Sequence, residues 1–254
     1  MTDLAEHDAA ERETDDLSPP AAPSTAVAHL QRGITDLLAE IRSSEFWQVV
    51  TSPDTEPALI REIMKEVYRE ISWYQPDVIE ATMAVIGQFP RSVPARRIRT
   101  MLHHQAEEWD HGEMAVRDYV GLGGAEDAAR TTRMSPTAFN TAAFWRMLAH
   151  KREPYAYLGA LYLFEGLTPI VTGMVKGNLA ERGVPASALE YIEFHSTEDI
   201  RHTKIVDHLI AEMSTTAPGA EASIIFGFDT FRQVYPLPGW WAAFRRGCAA
   251  YAGQ

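Results

Sequence analysis

Residues 195–202 read His-Ser-Thr-Glu-Asp-Ile-Arg-His, which places two histidines and two acids within little more than two turns of a helix. At about 100° per residue, the side chains of His195, Asp199 and His202 fall within one narrow sector, and Glu198 borders it. Two imidazoles and a carboxylate on one helix face form half of a site of the kind that iron, manganese or zinc binds. Ordinary helix-face pairs have the same spacing, so the octapeptide predicts a metal site only if the chain supplies a second half.

The segment HHQAEEWDHGE, residues 103–113, is the candidate second half. Glu108 and His111 form a Glu-x-x-His pair, the unit with which helical bundles present one carboxylate and one imidazole to an interior metal. His104 and Glu107 share the same third of the helix surface. The spacing leaves open whether either of them replaces or joins Glu108.

Glu165 is the third candidate ligand, because it ends an apolar segment. The ten residues before it, YAYLGALYLF, contain no charge. Burying an unpaired carboxylate costs several kcal/mol or forces it to take up a proton. A bound cation is the simplest remedy, and an ion pair with Arg or Lys, or a turn toward solvent before Gly166, is the alternative.

These three segments, Glu108-x-x-His111, Glu165 and His195-x-x-x-Asp199-x-x-His202, resemble in order and spacing the ligand pattern of haem-oxygenase-like di-metal oxidases and oxygenases. The resemblance covers roughly residues 30–215. It implies an all-α fold, a single-domain seven-helix bundle that holds two Fe(II) ions, with manganese as the alternative metal and O2 as co-substrate. The metal-binding and catalytic residues that it implies are Glu108, His111, Glu165, His195, Asp199 and His202.

Two features of the family pattern leave ligands open in this chain. Some members carry the first carboxylate seven residues before the histidine, where this sequence has His104. Some add a carboxylate from an earlier helix, for which Glu66, Glu70 and Glu80 are the candidates. Glu198 is the alternative to Asp199.

The resemblance also implies a function. The expected protein is an O2-dependent non-haem di-iron oxidase or oxygenase that acts on a small amine- or carboxylate-bearing substrate, an amino acid or a fatty acid, in specialised metabolism. The reaction would be C–H abstraction with C–C fragmentation or decarboxylation, or N-oxygenation. We expect Glu108 and His111 to bind one ion and His195 and His202 the other, while Glu165 and Asp199 bridge the ions or complete their shells.

Two other functions are compatible with a helical fold of this kind, because one fold hosts many functions. A cofactor-free or thiaminase-like enzyme would need its own nucleophile, and the single thiol is Cys248 in an aromatic-rich tail. A non-catalytic helical binding protein would carry the acidic cluster as a solvated face.

Composition narrows the class of protein. A chain of 254 residues with 46% hydrophobic content predicts one large domain. A net charge of −12 argues against nucleic-acid binding, and one cysteine excludes an intramolecular disulfide and suits a reducing cytoplasm. We find no signal peptide and no run of 18 apolar residues that would span a membrane. We expect a cytoplasmic homodimer with a small-molecule substrate.

The helix start and stop signals along the chain predict the bounds of the helices. Residues 1–26 are expected to form a disordered acidic leader, and residues 27–254 the helical domain. No alternating strand-like segment appears. The predicted helices are 27–41, 56–73, one from a turn near Pro76 through Gly87, 95–120 and 136–150. The Glu165 helix follows, is interrupted around residues 166–169 and resumes over 170–182. The last predicted helix is 185–214. We expect His29 and His208, which lie on the first and last of these, not to be ligands.

Overall fold

The computed structural model describes residues 24–131 and 133–253. Within them the α-helices are α1 (Thr25–Ser43), α2 (Glu45–Thr51), α3 (Pro57–Ile86), α4 (Ala95–Glu107), α5 (His111–Gly121), α6 (Glu126–Ala129), α7 (Pro136–Lys151), α8 (Pro154–Glu181), α9 (Glu190–His195), α10 (Asp199–Met213), α11 (Ala220–Phe231) and α12 (Leu237–Ala252). Short 3₁₀ helices cover Glu108–Asp110 and Ala186–Ala188. The described residues contain no strand, and the prediction of an all-α fold is confirmed.

Serine side chains begin three of these helices. Ser24, Ser44 and Ser135 precede α1, α2 and α7, and each accepts a hydrogen bond from the backbone N–H three residues later. These bonds satisfy amides that have no partner inside the helix. The predicted leader, residues 1–26, lies outside the described residues except for its last three, of which Thr25 and Ala26 already belong to α1.

Two long helices, α3 and α8, form the centre of the bundle. α3 packs against α5, α7 and α12, while α8 packs mainly against α10 and α11. By length and composition α8 is apolar enough to cross a membrane, but 72% of its most apolar window is buried inside the protein. Its apolar character is therefore that of a core helix. The aromatic C-terminal segment forms α11 and α12, whose Phe228 and Phe231 are fully buried.

The predicted breaks at Pro76 and around residues 166–169 are wrong, because α3 and α8 continue through Pro76 and Pro169. A proline inside a helix removes one hydrogen bond and leaves the carbonyl four residues earlier without its donor. In α8 that carbonyl belongs to Glu165, and the hydroxyl of Thr203 on α10 donates to it. A side chain from a neighbouring helix thus replaces the missing amide, which sequence spacing could not indicate.

The predicted helices 95–120 and 185–214 are each interrupted. The 3₁₀ turn Glu108–Asp110 separates α4 from α5, and residues 196–198 separate α9 from α10. In the second break the hydroxyls of Ser196 and Thr197 donate to the carbonyls of Glu193 and Phe194. Such side-chain bonds compete with helical backbone bonds. The described residues therefore contain more helices than the seven expected.

A close approach between α8 and α11 depends on glycine. A Cβ atom added to Gly159 would lie 1.9 Å from the carbonyl oxygen of Ile224, and one added to Gly227 would lie 1.9 Å from that of Ala156. Both obstacles are backbone atoms, which cannot turn away as a side chain can. The two helices pack at this distance only because neither residue carries a side chain.

Gly159 and Gly177 lie on the same helix, and we expect an added methyl group to have opposite effects on stability at these two positions. Gly159→Ala should lower the free energy of unfolding by about 1–3 kcal/mol, because it forces α8 and α11 apart. Gly177→Ala should raise it by about 0.5–1 kcal/mol, because nothing lies within 4 Å and alanine favours the helix. Urea unfolding of both variants measures the difference, and equal effects would contradict this packing.

Candidate metal centre

Seven ionisable side chains from three segments of the chain meet in the core of the bundle. Each has at most 9% of its surface exposed. They comprise the six predicted site residues and one more, and are His104, Glu108, His111, Glu165, His195, Asp199 and His202. Groups of this kind are almost never buried unless they are paired or bind a metal.

The first group of potential ligand atoms lies between α4, α8 and α10. One atom each from His104, Glu108, Glu165 and His202 lies within 4.8 Å of the others. Nε2 of His104 is 3.2 Å from Oε1 of Glu165, and Nδ1 of His202 is 3.4 Å from both Glu108 and Glu165. Oδ1 of Asp199 borders the group, 3.5 Å from Nδ1 of His202.

The second group joins Glu108 to His111 and His195. Nδ1 of His111 lies 2.6 Å from Oε2 of Glu108 and 3.2 Å from Nε2 of His195. Glu108 therefore belongs to both groups, with Oε1 toward the first and Oε2 toward the second. This grouping differs from the expected one, because His195 joins His111 and His202 joins His104.

Several buried polar atoms of the two groups have no hydrogen-bond partner among the described residues. Five of them lie at or beside the first group, and are Nε2 of His104, Oε1 of Glu108, Oε2 of Glu165, Oδ1 of Asp199 and Nδ1 of His202. Nearly all buried polar atoms in proteins are hydrogen-bonded, and these five converge on the first group. A cation bound there would satisfy them together, and nitrogen and carboxylate donors suit a ferrous ion.

Hydrogen bonds on the outer side of the rings fix the orientation of three imidazoles. Nδ1 of His195 donates to the Tyr191 carbonyl at 2.6 Å, which leaves Nε2 free to bind a metal. Nε2 of His202 donates to Glu107 at 3.0 Å, which leaves Nδ1 facing the first group. The side-chain amide of Gln105 lies 3.0 Å from Nδ1 of His104. Metal-bound histidines usually donate their second ring N–H to such a partner, as His195 and His202 do, whereas Nδ1 of His104 accepts from the Gln105 amide.

His111 is held differently. Its Nε2 atom is buried and has no hydrogen-bond partner among the described residues. Its ring instead packs edge-on against Phe194 and against the ring of His195, at centroid distances of 4.9 and 4.6 Å. Packing, together with the contact of Nδ1 with Glu108, therefore sets the direction of the ring.

Burial and mutual charge shift the pKa values of these groups. Burial would raise the pKa of Glu108, but the hydrogen bond from His111 and the nearby His202 imidazole hold it well below its usual value. Burial, with the nearby His111, lowers the pKa of His195 to about 4. Near neutral pH Glu108 is thus ionised and His195 is neutral, which are the forms that bind a metal. Burial would lower the pKa values of His111 and His202, but the surrounding carboxylates raise them, so these two imidazoles would release protons when a metal binds. Burial and the Glu165 carboxylate raise the pKa of Asp199 to about 7.

The candidate carboxylates of the earlier helix lie outside both groups. Glu66 and Glu70 are buried, but they pair with Arg246, and Glu70 also accepts from Ser135 and Thr137. Glu80 pairs with Arg146 at 2.6 Å. Their charges are already compensated, so none of the three is a ligand candidate.

The remaining alternatives are also separated by the structure. Glu198 is exposed while Asp199 is buried. Nε2 of His29 pairs with Asp229, and Nδ1 of His208 donates to the carbonyl of Lys204. Glu107 holds His202 from outside instead of joining a group. His104, which the spacing left as an alternative to Glu108, joins it in the first group.

A cavity of about 30 Å³ adjoins the two groups. Glu108, Glu165, His195 and Asp199 line it together with uncharged polar residues, among them Gln75 and Thr82. Its volume has room for about one or two small molecules of the size of water. Gln75 and Ile79 also line a groove of about 650 Å³ beside Trp109. The central cavity and the groove therefore meet at this pair of residues.

Asp118 connects the two halves of the centre. This fully buried residue of α5 accepts hydrogen bonds from the backbone N–H groups of Glu190 and Tyr191 at 3.0 and 2.9 Å. Those amides begin α9, where unsatisfied N–H groups favour a carboxylate. Asp118 thus fixes the helix of His195 to the helix of His111.

A family model described as an iron-containing redox enzyme matches residues 65–235, a range that includes all seven residues of the centre. The chain belongs to this family. The resemblance inferred from the ligand spacing is thereby confirmed. A comparison with curated proteins found no match.

Solved structures support the fold of this family member. A domain of unknown function with a haem-oxygenase-like fold from Shewanella denitrificans has a TM-score of 0.70 at 17% identity, covering 89% of this chain and 93% of that one. A TenA homologue from Pseudomonas syringae has a TM-score of 0.67 at 11% identity, covering 92% and 96%. At these identities the similarity establishes the haem-oxygenase-like fold and nothing further.

We predict that removing the titrating group at Asp118 changes the pH dependence of stability. Burial raises the pKa of Asp118 from 3.8 to about 6, although the two amides oppose the shift. The folded protein therefore loses stability as pH rises from about 4 to 6, by roughly 1–3 kcal/mol. Asp118→Asn, which cannot titrate, should lack this loss. Denaturant unfolding of both proteins at pH 4 and pH 7 tests it, and parallel profiles would contradict it.

Glu107 should influence metal affinity without binding the metal, because its carboxylate orients His202 from outside the first group. Burial would raise the pKa of Glu107, but hydrogen bonds from His202 and Arg201 lower it to about 2, so it is ionised when it orients His202. Glu107→Gln should weaken binding of Zn(II) by about 10–100-fold, measured by competition with a chelator. Glu113→Gln is the matched control, because Glu113 pairs with Arg130 on the surface. An equal loss in both variants would contradict the role of Glu107.

Proposed function

We propose that this protein is an O2-dependent non-haem di-iron oxidase or oxygenase. The observation that carries the proposal is the pair of ligand groups that share Glu108, each buried and each rich in nitrogen and carboxylate donors. When bound, two ferrous ions would supply the activation of O2 and the electrons for its reduction. Membership of a family of iron-containing redox enzymes supports the choice of metal.

Each residue of the centre would have a defined task. Glu108 would bridge the ions, because its two oxygens face different groups. His104, Glu165 and His202 would hold the first ion, with Asp199 completing its shell, and His111 and His195 would hold the second. The three carboxylates would neutralise most of the charge of two divalent ions. This compensation explains how three acids can share one dry pocket.

We propose a small amine- or carboxylate-bearing molecule as the substrate, an amino acid or a fatty acid. The small volume of the cavity beside the ligand groups, and its uncharged polar residues Gln75, Thr82, Gln105 and Thr168, favour one polar end of a molecule at that position. The groove beyond Gln75 and Ile79 would admit it. C–H abstraction with C–C fragmentation or decarboxylation, and N-oxygenation, are the two reaction classes in the proposal.

The proposal also includes a cytoplasmic homodimer that binds neither nucleic acid nor a membrane. The acidic net charge and the single cysteine support the location and the lack of nucleic-acid binding. Light scattering after size-exclusion chromatography measures the oligomeric state, for which the homodimer is expected.

A thiaminase-like enzyme is the second candidate, favoured by the similarity in fold to a TenA homologue. It would need a nucleophile in the central cavity. The single thiol, Cys248, lies on α12, packs partly buried against the hydrophobic core and does not line that cavity. A hydrolase of this kind would work without iron, and a non-catalytic binding protein would show no turnover at all.

Two histidines on α10 provide a matched test of metal binding. After anaerobic loading with Fe(II) and removal of excess metal, the wild-type protein should retain about two irons per chain by elemental analysis. His202→Ala should lose at least one of them, because it removes an atom of the first group. His208→Ala should retain both, because His208 is bonded to its own helix. Equal retention by both variants, or no iron in the wild type, would refute the proposal.

Oxygen consumption tests whether the reaction is O2-dependent. The Fe(II)-loaded protein should consume O2 faster when the correct amino acid or fatty acid is added, and a chelator applied before loading should abolish the increase. Asp199→Ala should reduce the rate by at least tenfold while circular dichroism stays unchanged, because Asp199 borders the first group. Cleavage of a substrate by the iron-free protein without O2 consumption would favour the thiaminase-like alternative.

A further inference from the structure

A second cavity lies directly behind the metal centre. Its volume is about 70 Å³, and it is lined by residues of α2, α3, α8, α9 and the beginning of α12, and by Tyr235. None of its lining residues is charged, and most are large apolar or aromatic side chains. We call this cavity the apolar chamber. Cavities with such linings bind apolar groups more readily than water.

The apolar chamber and the central cavity share a thin wall. Thr168 and Tyr191 line both of them. Thr168 lies one turn after Glu165 on α8, and the ring of Tyr191 stacks on that of His195 with centroids 3.8 Å apart. The chamber therefore begins one side chain beyond the ligand groups. A single molecule can occupy both spaces if it passes between these two residues.

The far end of the apolar chamber is built by parts of the chain outside the family match at residues 65–235. Phe46 and Trp47 of α2, Met64 of α3 and Trp240 of α12 contribute to it. Phe46 and Trp240 meet with ring centroids 5.4 Å apart and close this end. The depth of the chamber is thus set by residues that the family model does not describe.

We propose that the apolar chamber receives the apolar end of the substrate and that this end is short. An engineered cavity of about 150 Å³ holds benzene, with its six carbon atoms. At 70 Å³ the chamber therefore has room for about three carbon atoms beyond the carbon that carries the polar group. The inference rests on the proposed function, since it assigns the polar end of the same molecule to the metal centre. It favours a compact substrate with a short aliphatic end over a long-chain fatty acid.

Methyl NMR of the full-length protein tests the chamber without any metal. Met64 lines the chamber and is 5% exposed, whereas Met147 is 52% exposed and serves as an internal control. In protein labelled with [methyl-¹³C]methionine, 1-alkanols should shift the Met64 resonance saturably and leave Met147 unchanged. Met64→Leu assigns the signal. Affinity should rise about fourfold for each methylene from ethanol to 1-butanol, and 1-hexanol should gain nothing further.

Two variants change the depth of the chamber in opposite directions. Val171→Leu adds a methylene one turn beyond Thr168 and should weaken 1-butanol binding about fourfold or more. Val120→Leu, on an exposed residue of α5 that lines neither cavity, should leave it unchanged. Trp240→Ala should move the longest favourable alcohol beyond 1-butanol, and it keeps the test open if Val171→Leu does not fold. A Met64 shift that does not saturate, or the same chain-length profile in all variants, would overturn the proposal.

Zinc loading tests whether the apolar chamber and the metal centre form one site. Zn(II) is redox-inert, so butanoate can be titrated without turnover. Butanoate should bind the zinc-loaded protein at least tenfold more tightly than the metal-free protein, while 1-butanol should bind both equally. Equal butanoate affinities in a protein that holds zinc would overturn the proposal. Failure of the proposed function would appear separately, as absence of zinc binding with the 1-butanol titration unchanged.

Discussion

The bundle is built around a concentration of charge that a protein core does not normally tolerate. Three carboxylates and four imidazoles lie within the same pocket, each nearly excluded from solvent. Separating any one of them from its partners would leave a buried charge that costs several kcal/mol. Glu108 is the centre of this arrangement, because its two oxygens contact different histidines. Stability and the proposed binding of two cations therefore depend on the same side chain.

The position of the pocket is also related to which helices are continuous and which are interrupted. The helices that frame the pocket, α3 and α8, continue through a proline, and in α8 Thr203 supplies the hydrogen bond that Pro169 removes. The two segments that carry the histidines break beside the pocket instead. These breaks turn His111 toward His195 and His104 toward His202. In a straight helix with 100° per residue, His104 and His111 would face the same side, and so would His195 and His202. In the observed pairs, each histidine instead contacts one from the other segment.

Much of this centre could be predicted from the sequence. The six residues chosen from spacing and apolar context all lie in the pocket, because acids and imidazoles in such surroundings have few stable alternatives. The grouping of the ligands could not be predicted, because it depends on a 3₁₀ turn and on residues 196–198. His104 could be named only as an alternative, because the spacing did not decide whether it replaces or joins Glu108 as a ligand. The compensation of Glu70 by Arg246 joins residues 176 positions apart, beyond the reach of any local pattern.

The most direct measurement is anomalous X-ray scattering at the iron edge from crystals of the Fe(II)-loaded protein grown without oxygen. Two peaks are expected in the core, one among His104, Glu108, Glu165 and His202, and one among Glu108, His111 and His195. Glu108 should contact both peaks. A core without anomalous density, or a single peak that Glu108 does not contact, would contradict the account of a shared carboxylate between two metal ions.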